Sequence, residues 1–316
     1  MGINGTDETS LIINDGANIK ISSSSTSVGG IYLRKSIMFN NAIYSYSIQT
    51  KEEYHAIDTE GSITMVKGTY NIVSGNGKGI QAEKNLYIGE QGGIDSDLTL
   101  NIETSNEGIE AKGIEIYSGT LDIKADEDGI NAAAAGSECD ETVRCSGNCE
   151  CYIKFIGGSL TLTSGEDGID VNGDIIISGG EIIVFAASNS DNQPIDQDGL
   201  LQITGGNIIA AGSSQMQGGV SATTTQIAKT YSGTVSSGDK IVVYNSKNDQ
   251  LLSLTAPKAA SYVYFNFPED FSVKLNGNEI LTSTTSSADD DDIAKISSGE
   301  LLNLINIAMV LMVFLI

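Results

Sequence analysis

The chain has 316 residues, with 36 Gly, 3 Pro and no Trp. This composition is typical of many short strands joined by tight turns and is unfavourable for long helices, so we expect an all-β fold. The formal net charge is -24 at pH 7, and the 17 Lys and Arg residues form no basic patch. These features exclude nucleic acid as a partner.

The first segment, residues 1–27, carries conflicting targeting signals. It contains no apolar run of the kind that a secretory signal peptide needs. Its first residues fit the loose myristoylation pattern, which would place the protein in the cytosol. Asn4 begins an Asn-x-Thr sequon and is a candidate glycosylation site, which would place the protein outside the cell. Either the chain is truncated at this end, or the C-terminal anchor that is predicted below is wrong.

A short motif recurs between residues 28 and 217. A small residue precedes an isoleucine and a polar residue follows it; a short alternating strand, a glycine turn and a second strand come next. The isoleucines of the motif are Ile31, Ile57, Ile80, Ile109, Ile130, Ile169 and Ile195. A repeat of this length with two or three strands per copy predicts a β-solenoid.

We therefore predict a right-handed parallel β-helix of about seven coils over residues 28–217, with the isoleucines stacked inside. Leucine-rich repeats have a similar period, but they need regular Leu and Asn positions, which the sequence lacks. An antiparallel sandwich would not keep one register over so many copies.

All four cysteines lie in an unusually long step of the repeat, between Ile130 and Ile169. They are Cys139, Cys145, Cys149 and Cys151, in an insertion that we place at residues 136–151. The only histidine, His55, is distant in sequence, so two local disulfides in an exported protein fit this spacing better than a zinc site does. The insertion is expected to form a loop on one face of the β-helix.

Acidic side chains occupy equivalent positions in the middle coils, either two residues before the motif isoleucine or one residue after it. Carboxylates stacked at strand spacing repel each other, and oxygen ligands of this kind suit calcium better than a transition metal. The candidate ligands are Glu107, Glu110, Asp126, Asp128, Asn131, Asp167 and Asp170. The alternative is a solvated polar edge with diffuse counterions.

The chain changes character after the repeat. Residues 218–280 keep strand-like runs without the motif, which predicts a small β cap over the last coil. Residues 281–300 are a polar stalk and residues 301–316 are almost wholly apolar. Together they resemble a GPI-anchor signal, with Ser286 or Ser287 as the attachment residue. A buried or interfacial C-terminal helix is the alternative, because a GPI anchor also requires a signal peptide.

Several stretches of the repeat resemble a known family. They are EDGIN at residues 127–131, EDGIDVNGDIIISGG at residues 166–180 and ITGGNIIAAGSSQM at residues 203–216. These stretches are similar to the clostridial-type carbohydrate-binding parallel β-helix family. The resemblance implies a shape related to pectate lyases, calcium on the coils, and binding to plant cell-wall polysaccharide, both pectic and cellulosic.

The acidic positions that match the family are Glu107, Asp128, Asp167 and Asp170. The cysteine insertion, the GPI-like tail and the coil that contains Lys78 depart from the family pattern.

Three functions are compatible with this fold: a polysaccharide-degrading enzyme, a non-catalytic binder and a structural adhesin. A pectate lyase needs a strong base beside calcium, but Arg34 and Arg144 both lie away from the acidic positions. A polygalacturonase-type enzyme has clustered aspartates with a Gly-His-Gly segment, and the sequence contains no such segment. We expect a non-catalytic, calcium-dependent polysaccharide-binding protein, extracellular or at the cell surface, whose only membrane contact is its C-terminal anchor. Because Trp is absent, Tyr32, Tyr87 and Tyr117 are the candidates for sugar stacking.

Overall fold

The computed structural model describes residues 3–5, 10–23, 30–48, 54–92, 97–104, 106–133, 150–188, 192–213 and 220–283. Every regular element in these residues is a β-strand, which confirms the all-β prediction. Among them, no helical segment has the length and hydropathy needed to span a bilayer. Cys139, Cys145, Cys149 and the predicted anchor residues Ser286 and Ser287 lie outside the described residues, as do most of the predicted stalk and the whole apolar tail.

The strands of the β-helix follow one another in a repeating order. They are β1 (Ile3–Gly5), β2 (Leu11–Ile13), β3 (Ala17–Ser23), β4 (Ile31–Leu33), β5 (Ile37–Phe39), β6 (Ala42–Ile48), β7 (Ile57–Thr59), β8 (Ile63–Met65), β9 (Gly68–Ser74), β10 (Ile80–Ile88), β11 (Leu98–Thr104), β12 (Ile109–Ile116), β13 (Thr120–Ala125), β14 (Ile130–Ala132), β15 (Tyr152–Phe155), β16 (Ser159–Ser164), β17 (Ile169–Val171), β18 (Asp174–Phe185), β19 (Ile195–Gln197) and β20 (Leu201–Gly212).

Successive coils pair in parallel and form three stacks of strands, which confirms the predicted parallel β-helix. The first stack contains β1, β4, β7, β14, β17 and β19, with the starts of β10 and β12 between β7 and β14. The second stack contains β2, β5, β8, the ends of β10 and β12, β15, and the starts of β18 and β20. The third stack contains β3, β6, β9, β11, β13, β16, and the ends of β18 and β20.

The isoleucines of the motif form one inward column of the first stack. Each pairs with its equivalent in the next coil, from Ile31 to Ile195, and none of them is more than 1% exposed. The column continues one coil further toward the N terminus than predicted, because Ile3 pairs with Ile31. The β-helix therefore begins before residue 28, and the segment that was assigned to residues 1–27 contributes β1, β2 and β3.

The small residue before each isoleucine has a steric cause. A Cβ atom added at Gly108 would lie 2.5 Å from the carbonyl oxygen of Gly129, and one at Gly129 would lie 2.6 Å from that of Gly168. The backbones of consecutive coils are this close because they are joined by hydrogen bonds: the N–H of Gly108 donates to the backbone carbonyl oxygen of Asp128, and the N–H of Gly129 donates to that of Asp167, each over 3.0 Å. A larger side chain would separate the coils and break these hydrogen bonds.

The C-terminal strands cover the last coil. They are β21 (Thr223–Thr224), β22 (Ile227–Tyr231), β23 (Lys240–Asn245), β24 (Gln250–Thr255), β25 (Tyr262–Phe267), β26 (Phe271–Leu275) and β27 (Asn278–Leu281). β25 pairs antiparallel with the end of β20 and extends the third stack, and β22 pairs antiparallel with the other side of β25. β23, β24, β26 and β27 form a separate antiparallel sheet. A second core lies between them and includes Phe185, Phe265 and Phe271.

We predict that Gly129→Ala lowers the free energy of unfolding by about 2 kcal/mol, because the new methyl group overlaps a carbonyl oxygen of the next coil and the side chain of Leu162. Thermal or urea unfolding measures the change. Thr120→Ala is the control, because this exposed residue lies on the outside of a neighbouring coil. Equal stability of the two variants would show that the coils do not need the close approach.

Candidate functional site

The polar positions predicted beside the isoleucine column lie in register on the first stack. Glu110 pairs with Asn131, and Asn131 pairs with Asp170. Glu107, Asp128 and Asp167 precede the isoleucines of the same coils. We call these six residues the acidic edge. The register of both columns is thus the one that the sequence predicts.

Asp128 and Asp167 each accept a hydrogen bond from the backbone of the following coil. Asp128 Oδ1 accepts from the N–H of Asp167 over 2.9 Å, and Asp167 Oδ1 accepts from the N–H of Gln193. His55 occupies the same column three coils before Asp128, and its Nδ1 accepts from the N–H of Lys78 over 3.0 Å. One carboxylate oxygen of each aspartate therefore satisfies a backbone N–H of the next coil, and the imidazole of His55 does the same in an earlier coil.

Burial raises the pKa of both aspartates. The pKa of Asp128 rises to about 7, through burial first and the nearby charge of Asp167 second. The pKa of Asp167 rises to about 6 through burial and the charges of Asp196 and Glu166, and the hydrogen bond from Gln193 opposes this rise. At neutral pH the acidic edge therefore holds closely spaced carboxylates whose ionisation is unfavourable.

At the other end of the acidic edge, a lysine side chain pairs with two of the carboxylates. The Lys78 ammonium contacts Glu110 and lies 3.2 Å from Glu107 Oε2. The three side chains are 15%, 19% and 16% exposed, so water screens this cluster only in part. A lysine of the preceding coil therefore already pairs with both Glu107 and Glu110 and offsets one of their two negative charges.

The remaining residues offer oxygen atoms of the kind that calcium prefers. Asn131 Oδ1 is buried without a hydrogen-bond partner, and it lies between the strands that carry Glu110 and Asp170. Asp126, in contrast, is exposed in its loop. Within the described residues, no three His, Cys, Asp or Glu side chains converge closely enough to hold a metal ion. Calcium therefore stays a prediction, and its candidate ligands on the acidic edge, apart from the two glutamates that Lys78 contacts, are Asp128, Asn131, Asp167 and Asp170.

A second group of side chains lies on the outer surface of the second stack. Tyr87, Glu115 and Lys154 face the same way on adjacent strands, because Tyr87 pairs with Glu115 and Glu115 with Lys154. Tyr152 precedes Lys154 by two residues and Tyr117 follows Glu115 by two residues, so both lie on this surface as well. We call these five residues the tyrosine face.

Glu115 organises the tyrosine face. Its Oε1 accepts hydrogen bonds from the Tyr152 hydroxyl over 3.0 Å and from Lys154 Nζ over 3.1 Å, and its Oε2 accepts from the Tyr117 hydroxyl. Burial favours the neutral form of Glu115, but these hydrogen bonds outweigh it and lower its pKa. Burial and the hydrogen bond to Glu115 raise the pKa of Tyr117 to about 12. The carboxylate stays ionised and the hydroxyls stay protonated at neutral pH.

The sequence alone does not reveal most of this cluster. Tyr87 and Tyr117 were candidates for sugar stacking, but Glu115, Tyr152 and Lys154 were not, because the cysteine insertion separates β15 from β12 in the chain. The Tyr152 ring depends on the absence of a side chain at Gly113, where an added Cβ would lie 2.8 Å from the ring, and only the structure reveals this contact. The third candidate, Tyr32, lies elsewhere, on the first stack, and donates to Glu60 over 2.5 Å.

Comparison with known proteins identifies the family. The family model described as carbohydrate-binding domain-containing protein matches residues 93–300, more than half of the chain. The chain belongs to this family. The matched residues include the acidic edge and all of the tyrosine face except Tyr87. No curated protein and no solved structure gives a significant match.

The other predicted positions are placed as follows in this carbohydrate-binding family member. Asn4 is exposed on β1, as a glycosylation site must be. Cys151 is fully buried directly before β15. The two predicted disulfides, including the choice of partner for Cys151, stay a prediction, because Cys139, Cys145 and Cys149 lie outside the described residues. Arg34 lies 3.6 Å from Glu60 in an exposed ion pair.

We predict that Asp128→Asn stabilises the metal-free protein increasingly as the pH rises from 5 to 8, by about 1 kcal/mol at pH 8. Folded Asp128 and Asp167 have raised pKa values, whereas a carboxyl in the unfolded chain titrates near pH 4. The stability that their protonated forms contribute is complete below that pH and is lost as the pH rises through about 6 to 7. The Asn amide oxygen can still accept from Asp167 N–H.

Urea unfolding in EDTA at several pH values measures this difference. The control is Asp122→Asn, which removes an exposed carboxylate on β13. The same pH dependence in wild type and Asp128→Asn would contradict the raised pKa of Asp128.

Proposed function

We propose that the protein is a non-catalytic, calcium-dependent polysaccharide-binding protein of the cell surface, with pectic or cellulosic glycans as its partners. The observation that carries this proposal is the membership of the carbohydrate-binding family over residues 93–300. The long parallel stacks support it, because they offer an extended outer surface on which successive sugar units of a chain can be contacted by successive coils.

The aspartates of the acidic edge support the calcium dependence. Asp128 and Asp167 use Oδ1 for backbone hydrogen bonds, which leaves the second oxygen of each for a cation. Burial first, and neighbouring carboxylates second, raise their pKa values, so a cation beside them would stabilise their ionised forms. A calcium ion held there by Asp128, Asn131, Asp167 and Asp170 would supply a positive charge, which would allow an acidic protein to bind an acidic glycan.

The positions of the basic residues support a non-catalytic protein. Proton abstraction from a sugar requires a base that can take up a proton beside the bound ring. Lys78 is the lysine of the acidic edge, and its ammonium is already engaged by Glu107 and Glu110. Arg34 pairs with Glu60 in an earlier coil.

The surface location is also part of the proposal. The exposed sequon at Asn4 and the cysteine-rich insertion are typical of exported proteins. The polar stalk and apolar tail would act as a GPI-anchor signal, with Ser286 or Ser287 as the attachment residue, and would hold the domain at the outer surface of the cell membrane.

We predict that immobilised polygalacturonate retains the wild-type protein in millimolar calcium and releases it in EGTA. The double variant Asp128→Asn with Asp167→Asn should bind at least tenfold more weakly in calcium, because the cation loses two of its three carboxylate ligands. Asp122→Asn, on the outside of the third stack, should bind like wild type. Retention on beads and calcium-dependent thermal stability measure these effects.

The same experiment separates the alternatives. New unsaturated or reducing ends during incubation would identify an enzyme. Failure to bind any pectic or cellulosic glycan, with or without calcium, would favour an adhesin and contradict the proposal.

A further inference from the structure

The tyrosine face is an aromatic surface that the fold does not need. Tyr87, Tyr117 and Tyr152 are half-buried and lie outside the hydrophobic core of the β-helix. The inward positions between them are filled by aliphatic residues such as Ile114 and Ile153, which are fully buried. The packing of the coils therefore gives no reason for three tyrosines on the outside of adjacent coils.

The rings of this face are held in place before any ligand arrives. Tyr152 lies over the backbone of Gly113, where an added Cβ would lie 2.8 Å from the ring, so the glycine provides the space that the ring occupies. The hydroxyls of Tyr117 and Tyr152 donate to the two oxygens of Glu115, and Asn85 Nδ2 donates to the Tyr87 hydroxyl over 2.9 Å. A surface with restrained side chains loses little entropy on binding.

The charges of the tyrosine face are balanced locally. Lys154 Nζ lies 3.1 Å from Glu115 Oε1 and 4.4 Å from the centroid of the Tyr152 ring. Its positive charge is therefore engaged by a carboxylate and by the negative face of an aromatic ring. The face presents polar groups and ring surfaces without an unpaired cation for a uronic acid, and the net charge of -24 would repel an acidic chain.

Ligand chemistry follows from these features. A pyranose ring whose substituents are equatorial presents a flat surface of C–H groups, which packs against the negative face of an aromatic ring. Its hydroxyls lie at the rim, where the oxygens of Glu115 and the tyrosines can bind them. The exposed side chain of Ile156, in the same outward column as Tyr117, extends the apolar surface into the next coil.

We propose that the tyrosine face is a calcium-independent subsite for neutral pyranose units of a polysaccharide, separate from the acidic edge. This proposal rests on the proposed function, because it assigns a second surface to the same binding activity. It differs in ligand class, because the acidic edge would take an acidic glycan through a cation and the tyrosine face would take a neutral one by ring stacking.

Binding of a β-1,4-linked glucose hexasaccharide in EGTA tests the proposal. Tyrosine fluorescence can report it, because the chain has no Trp whose emission would mask that of tyrosine. We expect wild type to bind, and Tyr87→Ala and Tyr117→Ala each to bind at least tenfold more weakly. The Tyr152 ring is covered by Lys154 and packs against Gly113, so it positions Glu115 and does not stack on the sugar. Tyr117→Phe keeps the ring and should retain most of the affinity. Tyr32→Ala is the matched control, because Tyr32 also projects outward and donates to a glutamate but lies on the first stack.

The outcomes distinguish this subsite from the proposed function. If the alanine variants keep normal thermal stability and calcium-dependent binding to polygalacturonate while they lose the neutral hexasaccharide, the subsite is supported. If wild type binds polygalacturonate but not the hexasaccharide, or if Tyr32→Ala is as damaging as Tyr117→Ala, the subsite is wrong and the proposed function stands. If wild type binds neither glycan, both fail.

Discussion

In the middle coils, the backbones of successive coils approach each other at one corner so closely that no Cβ atom fits between them. Gly108, Gly129 and Gly168 each face a carbonyl oxygen of the following coil at this corner. The close approach sets the coil spacing at the distance of hydrogen-bonded strands, about 4.8 Å. Once the spacing is set, the isoleucines that follow the glycines must stack, and every outward side chain meets its equivalent in the next coil. Core and surface therefore follow from one geometric condition.

This spacing makes like charges neighbours, and the acidic edge shows three physical responses. Backbone N–H groups of the next coil bind one oxygen of Asp128 and of Asp167. The raised pKa of both aspartates keeps the charge low in mildly acidic solution. The Lys78 ammonium contacts two glutamates of the following coil and offsets one of their two charges. A bound cation would be a fourth response, and it suits only the coils that Lys78 does not reach.

The features that repeat from coil to coil could be predicted from the periodicity of the sequence. The isoleucine column, the glycine before it and the register of Glu110, Asn131 and Asp170 all depend on equivalent positions in consecutive coils. The first coil was missed although Gly2, Ile3 and Asn4 follow the motif, because only one small segment of that coil matches the pattern.

Interactions between particular side chains could not be predicted in this way. The contacts of Lys78 with Glu107 and Glu110 depend on the reach of a long side chain across one coil step, which the motif does not encode. The tyrosine face depends on the pairing of β12 with β15, and the cysteine insertion conceals that pairing in the sequence. The hydrogen bonds of Asp128 and Asp167 depend on backbone groups, whose direction the residue types do not reveal.

Lys78 also shows how the surface of this protein can change. It occupies a position at which other coils carry His55, Glu107 or Asp128, and the strands on either side keep their pairing. The column of buried isoleucines keeps the same pairing whichever of these side chains is present. A single substitution at this outward position can therefore change which ligands the coil can bind, while the fold of the β-helix stays the same. Glycan preference could therefore diverge between relatives faster than their fold.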